Sequence, residues 1–173
     1  MQKISVCLIS FLLIFQSSLF AYSSNPKNFI DELVKDAIIK LSDKNLTKKQ
    51  KASFVEKVAT ENVDINALSL YTLGELRKSS SQDEISKYQK SFTRYFLKSL
   101  TSRLTDYSSS KFEVLKAEKK SSNYTIIHSK ITPSDGSPEI KIDWRIYTKN
   151  PEKPLIRDLI VEGLSLARTQ KEE

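Results

Sequence analysis

The sequence predicts an α+β domain in which N-terminal helices pack on a C-terminal four-stranded antiparallel sheet. From residue 26 onward, apolar side chains recur every three or four positions, which is the spacing of amphipathic helices. From Lys111 the spacing changes to two, which is typical of half-buried strands. Helices that precede the strands, rather than alternate with them, indicate an α+β arrangement.

The first residues have the pattern of a secretory signal peptide. Lys3 gives a positive start, and an apolar run follows at Ile4–Phe15. This run is too short to span a membrane. Ala21-Tyr22-Ser23 offers small residues for cleavage before Ser24, and Leu19-Phe20-Ala21 is a poorer alternative. We therefore expect a leader at 1–23 and one domain at 24–173, which is long enough for a sizeable core.

Charge and cysteine content narrow the functional classes. The net charge of the whole chain is +7, and the leader contains one lysine and no acid, so the mature domain carries +6. This charge fits either attraction to an anionic membrane or acidic partner, or a solvated lysine-rich surface. No arginine cluster or RNA-binding signature points to nucleic acid. The single cysteine, Cys7, lies in the leader, so the pattern excludes disulfides and thiolate zinc sites from the mature domain.

Four helices are expected, and their starts are marked by capping residues. The first begins near Pro26, and the second follows Thr47, which forms a capping box with Gln50. Asp64 is expected to cap a third helix at 65–77. Ser81 opens the longest helix, at about 82–107, with Glu84 completing a second capping box.

Four strands are expected to follow. The first two cover 111–118 and 124–131, and a Pro/Gly-rich connection at 133–137 leads to a third strand around Trp144. The last strand is expected at 155–166, with Ile156, Ile160, Leu164 and Leu166 on one face. Because its other face is also apolar, this strand is expected to be covered on both sides.

The catalytic inventory is poor. His128 is the only histidine, and it could act either as a general base or as an ordinary strand residue with a hydrogen-bonding neighbour. Asp143, Asp158 and Glu162 lie on neighbouring strands and could form a carboxylate cluster with an acid–base or a structural role. No metal-ligand spacing and no Gly-rich phosphate loop occurs. We therefore expect no enzyme activity, no metal and no cofactor.

Residues 157–166, which read RDLIVEGLSL, resemble the D-x-x-x-E-G-x-S strand of the MlaC (toluene-tolerance) family. The middle of the chain is similar to the same family at Asp64–Leu68, Leu73-Gly74, Phe92, Tyr95 and Tyr107. An aromatic segment that is frequent after the family's Leu-Gly is replaced here by Glu75-Leu76-Arg77, so no role is carried over to it.

The resemblance implies a function. MlaC proteins are periplasmic carriers of diacyl phospholipids, and their fold is an NTF2-like cone with an apolar pocket between helices and sheet. They exchange lipid with an outer-membrane lipoprotein–porin complex and with the lipid-binding subunit of an inner-membrane ABC transporter, which maintains outer-membrane lipid asymmetry. We expect a periplasmic monomer with this role. The alternatives are an exported enzyme on the same scaffold, using His128 with Asp143 or Asp158, and an envelope adaptor that binds protein only.

If the resemblance holds, apolar side chains of the long helix and of the sheet should contact the acyl chains. The expected lipid-binding residues are Leu73, Phe92, Tyr95, Phe96, Leu100, Ile126, Ile142, Trp144, Ile160 and Leu164. The family carries a further helix after its final strand, and the last five residues here are polar and too few for a stable helix. We therefore expect a frayed end and a domain that lacks the family's C-terminal helix.

Overall fold

The computed structural model describes residues 22–104 and 110–172. Within them, the helices are α1 (Pro26–Ser42), α2 (Lys48–Asn62), α3 (Ile65–Leu73), α4 (Gln82–Leu104) and α5 (Leu166–Glu172), with a 3-10 turn at Gly74–Lys78. The strands are β1 (Ser110–Ser121), β2 (Tyr124–Pro133), β3 (Ile140–Tyr147), β4 (Leu155–Val161) and β5 (Leu164–Ser165). The predicted α+β class is confirmed. Residues 1–21 of the expected leader and 105–107 of the expected fourth helix lie outside the described residues.

The predicted helix starts are confirmed by their capping hydrogen bonds. Thr47 accepts from the Gln50 backbone N–H, and the Gln50 side chain accepts from the Thr47 backbone in return. Ser81 and Glu84 form the same reciprocal pair at the start of α4. Each box satisfies two backbone donors that a helix start otherwise leaves without partners, and so fixes where the helix begins.

The strands form one antiparallel sheet in the order β1-β2-β3-β4-β5. One strand more is present than the four expected. We call the sheet face that packs on α1 the inner face, and the opposite side the outer face. Nine buried side chains form the core between α1 and the inner face: Phe29, Ile30, Leu33, Val34, Phe112, Ile127, Trp144, Ile146 and Ile156. We call this set the sheet cluster.

A second, smaller core lies among α3, α4 and α5. Its buried members are Ile65, Leu68, Phe92 and Ala167, and Tyr88, Phe96 and Leu97 pack against them. We call this set the helical cluster. Helix α4 packs chiefly on α2 and α3 rather than on the sheet. Val63, between α2 and α3, packs against both clusters and so marks where they adjoin.

A bulge in β4 changes which side chains face the core. The pairing with β3 skips Arg157, between Ile156 and Asp158, so the alternation shifts by one residue there. Ile156 belongs to the sheet cluster, whereas Ile160 lies opposite Asp143 on the outer face. The expectation that Ile156 and Ile160 share a face is therefore wrong.

The C-terminal segment also differs from the expectation. The last long strand ends at Val161 rather than continuing to residue 166. Glu162 and Gly163 both have positive φ, at 50° and 83°, and this pair reverses the chain into the short strand β5. Two successive left-handed residues are the geometry of a tight hairpin turn. Helix α5 then occupies the segment expected to be frayed.

The chain before α1 is anchored to the core. The Tyr22 ring lies edge-on to Phe29, with 6.3 Å between ring centroids, and the Tyr22 hydroxyl donates to Asp36 Oδ2 at 2.8 Å. Burial and this hydrogen bond raise the pKa of the Tyr22 phenol well above its ordinary value, so the hydroxyl remains a donor at neutral pH. Tyr22 thus packs against the sheet cluster before the first helix begins.

Candidate functional site

The outer face of the sheet carries two clefts whose linings include charged side chains. The first has a volume of about 470 Å³ and surrounds His128 and Asp143; we call it the histidine cleft. The second has a volume of about 320 Å³, lies where the outer face meets α3 and α5, and includes Arg77, Arg145 and Arg157; we call it the arginine cleft. The two sites that could recognise a polar group therefore differ in their chemistry.

In the histidine cleft, both ring nitrogens of His128 face carboxylates. Nδ1 lies 2.7 Å from Asp143 Oδ1, and Nε2 lies 3.2 Å from Glu118 Oε2. A neutral imidazole can donate to one of these groups, whereas an imidazolium donates to both. Because both nitrogens are engaged, neither is left to take a proton from a substrate. The geometry therefore fits a structural link across β1, β2 and β3.

Among the described residues that line the histidine cleft, none offers a free hydroxyl or thiol as a nucleophile. Its one hydroxyl residue, Ser129, points to the inner face, where its Oγ donates to the Ile142 carbonyl and accepts from the Trp144 indole N–H at 2.8 Å. The expected enzyme would pair His128 with a carboxylate, and Asp143 is within reach. Among the described residues of the lining, this pair has no free hydroxyl or thiol to activate.

At the arginine cleft, Asp158 fixes the positions of its neighbours. Its side chain is 4% exposed. Its carboxylate accepts from Ser165 Oγ at 2.6 Å, from the Ala167 backbone N–H at 2.9 Å, and from an Arg145 terminal nitrogen at 3.2 Å. These three donors satisfy the buried charge. Asp158 therefore joins β4 to the start of α5 and holds Arg145 beside the cleft.

The other two arginines of this cleft differ in how firmly they are held. The Arg157 guanidinium lies 3.3 Å from the centroid of the Tyr147 ring, and its Nε donates to Asp64 Oδ2 at 2.9 Å. Arg77 is exposed on the 3-10 turn and makes no ion pair with the residues that the structure describes. The cleft thus has one arginine held by Tyr147 and Asp64, one held by Asp158 and one that is exposed without an ion pair to the described residues.

Electrostatic surroundings alter two nearby groups. Burial raises the pKa of the Tyr124 phenol above its ordinary value, so the hydroxyl stays protonated and can donate within the arginine cleft. Beside the histidine cleft, hydrogen bonds from Lys120 and then from His128 lower the pKa of Glu118. The Glu118 carboxylate therefore stays charged at neutral pH and keeps its link to His128.

The expected lipid-binding residues fall into several places. Phe92 and Phe96 belong to the helical cluster, with their rings stacked at 6.1 Å. Trp144 belongs to the sheet cluster, and Ile142 packs against it. The structure thus places the apolar residues expected on the helix and on the inner face in two adjoining cores, which meet at Val63.

The remaining expected residues lie elsewhere. Ile126 and Ile160 are on the outer face, away from both cores. Leu73 and Leu100 are half-buried on α3 and α4. Tyr95 and Leu164 are 55% and 70% exposed. Tyr95 falls on the solvent side of α4, and Leu164 follows the Glu162-Gly163 turn, so neither joins the residues in the two cores.

The sequence does not predict that the residues of the arginine cleft lie close to one another. Arg145 alternates with Trp144 and so could be assigned to the polar face of β3. In the sequence, Arg157 stands out only as part of the family-like strand. Arg77 and Tyr124 gave no signal, because their approach depends on how α3 and the 3-10 turn dock beside β2 and β3.

The structure gives a physical reason for the D-x-x-x-E-G-x-S pattern. Asp158 and Ser165 are hydrogen bonded to each other, and Ser165 Oγ also accepts from the Arg168 backbone N–H at the start of α5. Glu162 and Gly163 form the turn that brings Ser165 back alongside β4. The pattern therefore describes a strand, a reverse turn and a helix cap.

No helix in the described part of the chain is long and apolar enough to cross a membrane. A phospholipid-binding protein from Ralstonia solanacearum, solved in complex with a phospholipid, has a similar fold. Its TM-score is 0.67 at 13% sequence identity, and the match covers 83% of this chain and 81% of that one. No protein of curated function shows significant sequence similarity. The model of the MlaC protein family matches residues 31–173, which is most of the chain. This chain therefore belongs to the MlaC family.

Proposed function

We propose that this protein is a periplasmic phospholipid carrier. The observation that carries the proposal is the family match over residues 31–173, and the structural neighbour that binds a phospholipid supports it. A carrier must keep acyl chains out of water. Two chains contain on the order of 30 methylenes, and exposing each costs about 0.8 kcal/mol, so exposing both would cost on the order of 20 kcal/mol.

The acyl chains require an apolar environment without charged groups, and both clefts on the outer face carry charged side chains in their linings. The two cores of the domain are built from apolar side chains. We place the chains between the helical cluster and the sheet cluster, which adjoin at Val63. Phe92 and Phe96 would then contact the chains from α4, and Ile142 and Trp144 from β3. This arrangement keeps the expected wall of helix and sheet, but requires the two cores to part around the lipid.

Two neighbouring aromatic residues on α4 allow a matched test. Phe96 packs on the helical cluster, whereas Tyr95 is 55% exposed. The protein is purified from the periplasm, and bound lipid is measured by native mass spectrometry and after extraction. We expect the native chain and Tyr95→Ala to retain diacyl phospholipid, and Phe96→Ala to retain less.

The outcomes separate the proposal from its alternatives. If the native chain retains no diacyl lipid, the carrier function is wrong and the protein-only adaptor is favoured. If Phe96→Ala and Tyr95→Ala retain equal amounts, the lipid does not lie where we place it. A photoreactive phospholipid should label residues of the two cores, and labels confined to the outer face would likewise overturn this placement.

Family membership also suggests the partners. We propose that the carrier exchanges lipid with an inner-membrane ABC transporter through its lipid-binding subunit, and with an outer-membrane lipoprotein–porin complex. The positive charge of the chain, +7 overall, fits attraction to an anionic membrane surface or an acidic docking face. Binding to the purified lipid-binding subunit should weaken as salt is raised, and a salt-independent interaction would argue against this electrostatic contribution.

A further inference from the structure

The arginine cleft has the composition of an anion site. Arg77, Arg145 and Arg157 line it together with the single acid Asp158. Asp158 already accepts three hydrogen bonds, so its charge is compensated within the protein. Each guanidinium has five N–H donors, and Arg157 uses one of these for Asp64. The cleft therefore holds more N–H donors than its own acceptors can bind. Its positive charges also outnumber its negative charges.

One of these donors is buried and has no partner. Among the described residues, Arg145 Nε is the buried side-chain polar atom that makes no hydrogen bond. A buried donor without an acceptor is costly, because the group has lost its water and gained nothing in return. An oxyanion in the cleft would supply the missing acceptor. The Tyr124 hydroxyl, kept protonated by burial, adds a neutral donor.

The cleft is also continuous with an apolar core. Leu68 and Ala167 line the arginine cleft and are at the same time buried members of the helical cluster. Arg157 is held by Asp64, which adjoins Val63, where the two clusters meet. A molecule with a charged group in the cleft could therefore extend its apolar part toward Phe92 without crossing a polar layer.

We propose that the arginine cleft binds a phosphate group, with Arg77, Arg145 and Arg157 as its donors. Arginine suits this role because its planar fork matches the spacing of phosphate oxygens. The phosphate belongs either to a phospholipid head group, which rests on the carrier function proposed above, or to free inorganic phosphate. On the first alternative the head group is recognised by the protein rather than left in water.

A competition between two lipids with the same tails tests the proposal. The protein is incubated with equimolar dioleoyl phosphatidylglycerol and dioleoylglycerol in detergent micelles, and the bound lipid is identified by native mass spectrometry. We expect at least a tenfold preference for phosphatidylglycerol, since one charge-assisted hydrogen bond accounts for about this factor. In the variant Arg77→Gln, the ratio of bound phosphatidylglycerol to bound dioleoylglycerol should fall about tenfold. Arg94→Gln, which removes another exposed arginine, on α4, should keep the preference.

A second arm measures the melting temperature with added inorganic phosphate. A rise that Arg77→Gln abolishes and Arg94→Gln keeps would support the phosphate site even if neither lipid is retained, and the carrier function would then fall. Equal uptake of the two lipids by the native chain, with no effect of inorganic phosphate, would overturn the phosphate site and leave the carrier function intact. Indistinguishable Arg77→Gln and Arg94→Gln variants would also overturn it. Arg145→Gln should lose the preference as well, provided that this variant folds.

Discussion

Replacing Asp158 with asparagine tests whether one buried carboxylate holds the end of the chain in place. The carboxylate accepts from Arg145, Ser165 and Ala167, and its side chain is 4% exposed. Asparagine has nearly the same shape, but it carries no charge and offers one acceptor oxygen in place of two. One of the three donors would then face an amide NH₂ group, and the Arg145 charge would lose its partner.

The size of the effect follows from these contacts. Removing one member of a buried ion pair costs about 3–5 kcal/mol when the other charge stays buried. The Arg145 side chain is 41% exposed, so water would compensate part of its charge. We therefore expect Asp158→Asn to lower the free energy of unfolding by about 2–3 kcal/mol. For a domain of this size, such a loss lowers the melting temperature by roughly 5–10 °C.

Urea denaturation followed by circular dichroism measures this free energy. Asp83→Asn is the matched control, because Asp83 forms an ion pair with Lys87 on the surface and its side chain is 75% exposed. The control should cost less than about 1 kcal/mol. If Asp158→Asn destabilises the protein no more than Asp83→Asn does, the carboxylate does not stabilise the link between β4 and α5.

Three further variants probe the backbone, a buried hydrogen bond and the surface charge. Gly74 ends α3 with φ of 60°, so Gly74→Ala should lower the free energy of unfolding by about 1–2 kcal/mol, and an unchanged urea midpoint would contradict the strain. Ser129→Ala leaves the buried Trp144 indole N–H without its acceptor and should cost about 1–3 kcal/mol; a loss below the lower figure would mean that another group replaces the serine. A hydrogen bond from Lys130 lowers the pKa of Glu139 below its ordinary value of 4.5. The stability from this contact is therefore present above pH 4.5 and is lost as the pH falls, so the difference in urea midpoint between the native chain and Glu139→Gln should shrink in acid rather than grow.

Local signals predicted much of the fold. The capping boxes at Thr47 and Ser81 were readable because their hydrogen bonds join residues only three positions apart. The change of apolar spacing from helix to strand was readable for the same reason. The strand containing Trp144 alternates without interruption and lies where it was expected. The family resemblance at 157–166 was confirmed by the match to the MlaC model.

The errors in the predicted last strand arise where a local irregularity changes the face or the strand to which the following residues belong. The bulge at Arg157 moves Ile160 to the outer face. The turn at Glu162-Gly163 ends β4, so Leu164 lies in β5 instead of continuing the expected long strand. Single-residue irregularities of this kind leave little trace in hydrophobic spacing. The arginine cleft was missed for a different reason. Arg77 and Arg145 come together through the docking of α3 on the sheet, which no short-range pattern records.

The contacts of Tyr22 have a consequence for the predicted cleavage of the leader. Cleavage before Ser24 would discard Tyr22, whose ring lies against Phe29 and whose hydroxyl is bonded to Asp36. Cleavage after Ala21 would make Tyr22 the first residue of the mature chain and preserve both contacts. The choice made by the signal peptidase would then set the stability of the domain as well as its length. N-terminal sequencing of the protein after expression with its predicted leader would distinguish the two sites, because the first residues would be Tyr-Ser-Ser in one case and Ser-Asn-Pro in the other.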